Sequence, residues 1–359
     1  MIDQNNAIDI FAAVEKRREE RRRFIKIAGG GTAAIGGLAM LSACGSDDNN
    51  NPAPTPTPTP TASPSPTPSA ANLDLDILNF ALNLEYLEAQ YYVYAVSGAG
   101  LPASMTANGA GTSAGGTVTG GAAVNFSGDA LVAAYAREIA ADEAAHVTFL
   151  RQAIGSAAVA MPNINISPAV FGALATAAGI DQTAGAFNPY SSPEAFLLGA
   201  FIFEDVGVSA YKGAAPLITS KTYLEAAAGI LAAEAYHAGL VRTVLYNKGI
   251  AAPVLITNAN KISDARDSVD GTAVSPANTP ATATVSAADD DQGITNADGS
   301  ANLVPADSNA IAYSRSVSQV LNIVYLNTAA KTAGASMGAF FPNGLNANLA
   351  AFKTSSANA

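Results

Sequence analysis

Tryptophan is absent, cysteine occurs once and histidine twice in the whole chain. The single cysteine, Cys44, rules out an intrachain disulfide, a CxxC redox pair and a rubredoxin-type iron site. Charge is sparse, 13% of residues against 49% hydrophobic, and it leans acidic, with a net charge of -11. A strongly acidic body repels a phosphate backbone, which excludes nucleic acid as a partner. What remains is a chain rich in Ala and Gly, suited to tightly packed helices joined by uncharged loops. It is long enough for one or two domains with a proper core.

The basic residues crowd the start. Arg21-Arg22-Arg23-Phe24-Ile25-Lys26 is similar to the twin-arginine export signal. The apolar, Gly-rich stretch Ile27–Leu41 that follows has the length of a signal h-region and is too short for an ordinary transmembrane span. Leu41-Ser42-Ala43-Cys44 resembles a bacterial lipobox, with the only cysteine at the modified position. The resemblance implies that residues 1–43 are a signal peptide, that Cys44 is lipidated, and that the protein is membrane-anchored facing the periplasm. Gly45 in place of Asp hints at the outer membrane, by likeness to lipoprotein sorting. Residues 44–72, with Thr-Pro repeats from 52 to 68, read as an extended tether.

The body reads as all-α. Four long segments carry helical apolar periodicity: 74–96, 129–154, 193–211 opened by Ser191-Ser192-Pro193-Glu194, and 222–247, which stops before Gly249. Ser191 and Glu194 fit an S-x-x-E capping box. A crossover of residues 155–190 joins the second segment to the third, with a short helix expected near 168–178. Short hairpin, long crossover, short hairpin gives a four-helix bundle over 73–250. Residues 251–359 form a loop-rich C-terminal extension with an additional helix expected over 305–327, packed on the bundle.

Carboxylates stand where apolar residues belong. The inner line of the second helix is Val132, Tyr135, Ile139, then Glu143 and His146, then Leu150. The fourth reads Ala227, Leu231, then Glu234 and His237, then Val241 and Leu245. Each is apolar except for one E-x-x-H, whose spacing puts Glu and His one turn apart on one face. An offset of 91 residues separates both the two His and the two Glu. With Glu at 11 positions in 359, chance placement before both His has odds on the order of one in a thousand. Glu85 lies on the line Leu78, Leu82, Tyr92, and Glu204 follows Phe201-Ile202-Phe203. Glu88, one turn beyond Glu85, is the alternative to it.

Buried unpaired carboxylates are costly, and four together prefer protonation. Two divalent cations balance four Glu, and two neutral imidazoles complete the coordination. Oxygen-rich ligation suits two Fe ions, or alternatively Mn, rather than structural zinc. The expected ligands are Glu85, Glu143, His146, Glu204, Glu234 and His237. The run Asp289-Asp290-Asp291 reads as a solvated loop rather than a calcium site.

This E…ExxH…E…ExxH set resembles the ferritin-like superfamily. DQGI at 291–294, Pro305-Ala306-Asp307-Ser308-Asn309 and Phe340-Phe341-Pro342-Asn343-Gly344 are similar to its exported, desiccation-related branch. The resemblance implies ferroxidase, peroxidase or catalase-like chemistry with dioxygen or hydrogen peroxide. It also implies that Asp142, just before Glu143, accepts the ring N–H of His237 and fixes its tautomer. Because the desiccation-related likeness implies no reaction, a non-catalytic metal-binding or protective envelope protein is the alternative. A homo-oligomer is compatible with such a bundle; a closed storage cage is disfavoured by the tether, the 97–128 loop and the long tail.

Overall fold

Periodic apolar faces, each opened by a capping side chain, become the helices of the computed structural model, which describes residues 70–183, 185–270 and 292–357. The export signal, Cys44, most of the tether and Asp289–Asp291 lie outside the described residues. Helix α1 spans Ala70–Ser97, α2 Ala130–Ile154 and α3 Pro168–Ala177. Helix α4 spans Pro193–Ala214, α5 Lys221–Ala251, α6 Val254–Asp270 and α7 Val317–Val324. The chain is all-α in class: α1 lies along α2, α4 along α5, and the two pairs close into a four-helix bundle. Strand β1 (Val118–Gly120) pairs in parallel with β2 (Ile164–Ile166), Val118 opposite Ile164. That pair ties the long loop after α1 to the crossover after α2. Among the described residues no helix is long and apolar enough to cross a membrane.

The helix starts follow local chemistry. Asp129 accepts from the Val132 amide, Ser192 from Ala195 and Ser220 from Tyr223, each satisfying an N–H that the helix leaves unpaired. Four expectations need correction. The cap of α4 is Ser192, not Ser191, so Glu194 is free to pair with Lys248 at 2.7 Å instead of closing a capping box. Helix α5 runs through Gly249, where a side chain would meet Ile256; that glycine lets α6 approach rather than ending α5. The additional helix of the extension is mainly α6, while the 305–327 segment is helical only over Val317–Val324. The first hairpin is not short, since its connection fills residues 98–129.

Helix α1 is buried on nearly every side, and its polar side chains are matched to loops. Asp74 accepts from the Thr219 and Ser220 amides at 2.8 and 2.9 Å. Asn83 exchanges two hydrogen bonds with the Asn346 backbone. The extension covers the outer face of α4: Phe340 sits 4.9 Å from Phe203, ring centre to ring centre. Asp205 is pinned by Arg242 at 2.6 Å and Arg266 at 2.9 Å, and both guanidinium groups lie over the Phe201 ring. Arg242 also donates to the carbonyls of Gln292 and Asn302, which binds the extension to the bundle.

Candidate metal centre

Each bundle helix brings its polar exception to one depth. Helix α1 contributes Glu85, α2 Glu143 and His146, α4 Glu204, and α5 Glu234 and His237, every one of them at most 4% exposed. The six converge as two groups, Glu85, Glu143, His146 and Glu234 in one and Glu204, Glu234 and His237 in the other. Within each, ligand atoms lie within 4.8 Å of one another, close to the span across one ion with bonds near about 2.1 Å. Glu234 belongs to both groups. Glu143 faces both imidazoles, 3.7 Å from His146 Nδ1 and 3.1 Å from His237 Nδ1.

His146 Nδ1 is 3.1 Å from Glu85 and 3.5 Å from Glu234, and His237 Nδ1 is 3.7 Å from Glu204. So both rings turn the same nitrogen inward. Asp142 Oδ2 is 3.4 Å from His237 Nε2, at the long end of hydrogen bonding. A proton on Nε2 leaves the Nδ1 lone pair facing Glu143 and Glu204.

Two further residues belong to the site. The Tyr92 hydroxyl donates to Glu204 and the Tyr211 hydroxyl donates to Glu85. Each tyrosine stands seven residues after one glutamate and bonds the other, so α1 and α4 exchange partners about an approximate two-fold axis. The i, i+7 spacing of Glu85 with Tyr92 and of Glu204 with Tyr211 carried that signal; reading Tyr92 only as part of an apolar line missed it.

The electrostatics are those of a site short of positive charge. Burial pushes the Glu85 carboxyl up to about 8 against the pull of His146. Burial and the neighbouring carboxylates hold Glu204 and Glu234 high as well. Glu143 alone stays below the usual range, because the two imidazoles beside it outweigh its burial. The carboxylates in turn raise His237 to about 9 and push His146 well above its ordinary value, both against burial. The chain by itself settles these charges with protons.

Metal ions fit this donor set. Both carboxylate oxygens of Glu143 and of Glu234, one oxygen of Glu204 and Nδ1 of His237 are buried without a hydrogen bond. The two imidazoles beside Glu143 are near enough to attract, but neither makes a hydrogen bond to it. Orphaned buried acceptors of this kind are rare in folded proteins, and cations satisfy them together.

Comparison with known proteins agrees with the fold. A family model described as a ferritin-like domain matches residues 73–247. Ferritin-like catalase Nec2 of Nesocodon mauritianus is 26% identical over 283 residues, covering 77% of this chain and 84% of that protein. Desiccation-related protein PCC13-62 of Craterostigma plantagineum is 28% identical over 200 residues, covering 53% of this chain and 60% of its own length. No solved structure matches.

Proposed function

We propose, from the match of residues 73–247 to a ferritin-like domain, that the chain is an exported dinuclear-metal oxidoreductase whose oxidant is dioxygen or hydrogen peroxide. The observation that carries this reading is the buried set of unpartnered carboxylate oxygens around two inward-facing imidazoles. Glu85, Glu143, His146 and Glu234 would hold one ion, and Glu204, Glu234 and His237 the second, with Glu143 between them. Bound there, two adjacent iron ions, or manganese in their place, supply the pair of electrons that reduction of an O–O bond consumes. Tyr92 and Tyr211 orient Glu204 and Glu85 through their hydroxyls, and Asp142 holds the His237 ring by its outer nitrogen. Tyr92 itself packs edge-on against buried Tyr91 and Phe196, so the surroundings of its hydroxyl are apolar. One relative is named a ferritin-like catalase, which favours peroxide.

The N-terminal signals complete the proposal: twin-arginine export of a folded, metal-loaded protein, then anchoring through lipid on Cys44, facing the periplasm. A site whose ligands converge only after folding suits a route that carries folded proteins. Mass spectrometry of the membrane fraction should find an acylated N-terminal Cys44; a different mature N-terminus would sink that part.

The test of the site is metal analysis of the purified chain beside a Glu143→Ala/Glu234→Ala variant. Ferrous iron is then added anaerobically, and ferric absorbance is followed after peroxide or air. Two metals per chain, with fast oxidation lost in the variant, support the enzyme. Two metals without oxidation above the buffer background support the second reading, a non-catalytic protective protein, which the desiccation-related relative favours.

A further inference from the structure

Glu88 takes no part in the contacts that join the six groups. It lies on α1 one turn beyond Glu85, is only 6% exposed, and its Oε2 has no hydrogen-bond partner. Burial and the charges of Glu234, Glu143, Glu204 and Glu85 push its carboxyl well above the usual range. A buried carboxylate oxygen with no donor, among four acidic neighbours, is costly in a metal-free bundle.

The approximate two-fold symmetry of the site breaks at this residue. The offset of 119 residues that carries Glu85 to Glu204 and Tyr92 to Tyr211 carries Glu88 to Gly207. A Cβ at Gly207 would lie 2.5 Å from Glu234 Oε2 and 3.5 Å from Glu88 Oε1. The space that the missing side chain leaves is therefore shared by these two carboxylates. The two ligand groups are also unequal, four residues in the first and three in the second. The three-residue group contains Glu234, which borders that space.

We propose that Glu88 is a seventh metal ligand, joining Glu204, Glu234 and His237 at the second ion position, with Gly207 giving it room. Glu88 stands outside both groups as they lie, and rotation about its side-chain torsions is the movement required. An added carboxylate raises oxygen coordination at that ion and favours a hard cation such as ferrous iron or Mn(II) over zinc. This inference rests on the dinuclear reading above and asks a separate question of it.

The probe is Co(II), titrated anaerobically into the purified full-length chain, with bound metal counted by dialysis and coordination read from visible absorption. The wild-type chain should bind two ions. Glu88→Gln, which keeps the side-chain volume, and Glu88→Ala should leave the first ion's affinity unchanged. Both should weaken the second by about ten- to a hundred-fold and alter its absorption. Gly207→Ala should also weaken the second ion, by crowding Glu234 and Glu88 without removing a carboxylate. Circular dichroism checks that each variant is folded. Two ions bound with the same affinities and spectra in wild type and both Glu88 variants overturn the inference and leave the dinuclear reading standing. Loss of both ions together from a folded variant overturns the assignment to the second position. A wild-type chain that binds no Co(II) removes the dinuclear reading, and this one with it.

Discussion

At the scale of single residues, Glu143 and its neighbours divide the charge unequally. It sits between two imidazoles and stays anionic, while Glu85, Glu204 and Glu234 lean on hydroxyl donors or on protons. Tyr92 and Tyr211 are therefore structural partners of two prospective ligands. Tyr92→Phe or Tyr211→Phe leaves a buried carboxyl oxygen without its donor, at a cost of about 1–3 kcal/mol each. Chemical denaturation in the presence of a chelator should read that loss, and the metal count of each variant should remain that of wild type. A metal count that falls in Tyr92→Phe would make the hydroxyl part of the binding set instead.

At the scale of elements, caps and interlocks decide where helices begin and meet. Ser192 caps α4 and Ser191 does not. Ser192→Ala should lower stability by about 1 kcal/mol in thermal denaturation, and Ser191→Ala by clearly less. Asp74 joins two elements, since a carboxylate near the start of α1 accepts from the turn that opens α5. Asp74→Ala removes three hydrogen bonds and leaves two amides to find other partners, so about 1–3 kcal/mol should be lost. The expected signature is faster amide exchange at Thr219 and Ser220. No such change would mean that α1 does not hold the start of α5.

At the scale of the whole molecule, the extension and the site meet at α4, where Asp205 follows Glu204. Asp205→Ala would leave Arg242 and Arg266 buried without their shared carboxylate, a loss of about 3–5 kcal/mol. Hydrogen exchange should then rise first over α6 and residues 292–302. The metal-free chain should also respond to pH through its raised groups. The His237 imidazole is raised from 6.5 to about 9, so its stabilisation is full below 6.5 and is lost as pH rises through about 9. Glu85, raised from 4.5 to about 8, acts in the same direction over a lower window. The melting temperature in chelator should therefore fall between about pH 6.5 and 9. Saturating iron or manganese should flatten that slope, because cations replace the protons. A chelated chain that melts at the same temperature across this window would refute the charge assignment.

Local periodicity and spacing already specified a great deal. The E-x-x-H pairs of α2 and α5 put Glu and His on one helical face from sequence alone, because an interval of three residues is nearly one turn. The same periodicity marked Glu85 and Glu204 as polar exceptions on apolar lines, while the S-x-x-E pattern put the cap of α4 one residue early, at Ser191 rather than Ser192. Other features depended on how distant segments pack. Gly249 looks like a helix stop in isolation, and only the approach of Ile256 explains why α5 passes through it. The crossed bonds of Tyr92 with Glu204 and Tyr211 with Glu85 join helices more than a hundred residues apart, which no local pattern can assign. The choice posed between Glu85 and Glu88 also dissolves in three dimensions. Both are buried, Glu85 stands in the first ligand group, and Glu88 faces a gap made by a glycine on another helix. Spacing along a helix fixes which side chains share a face; which faces meet, and at what depth, is set by packing across the bundle.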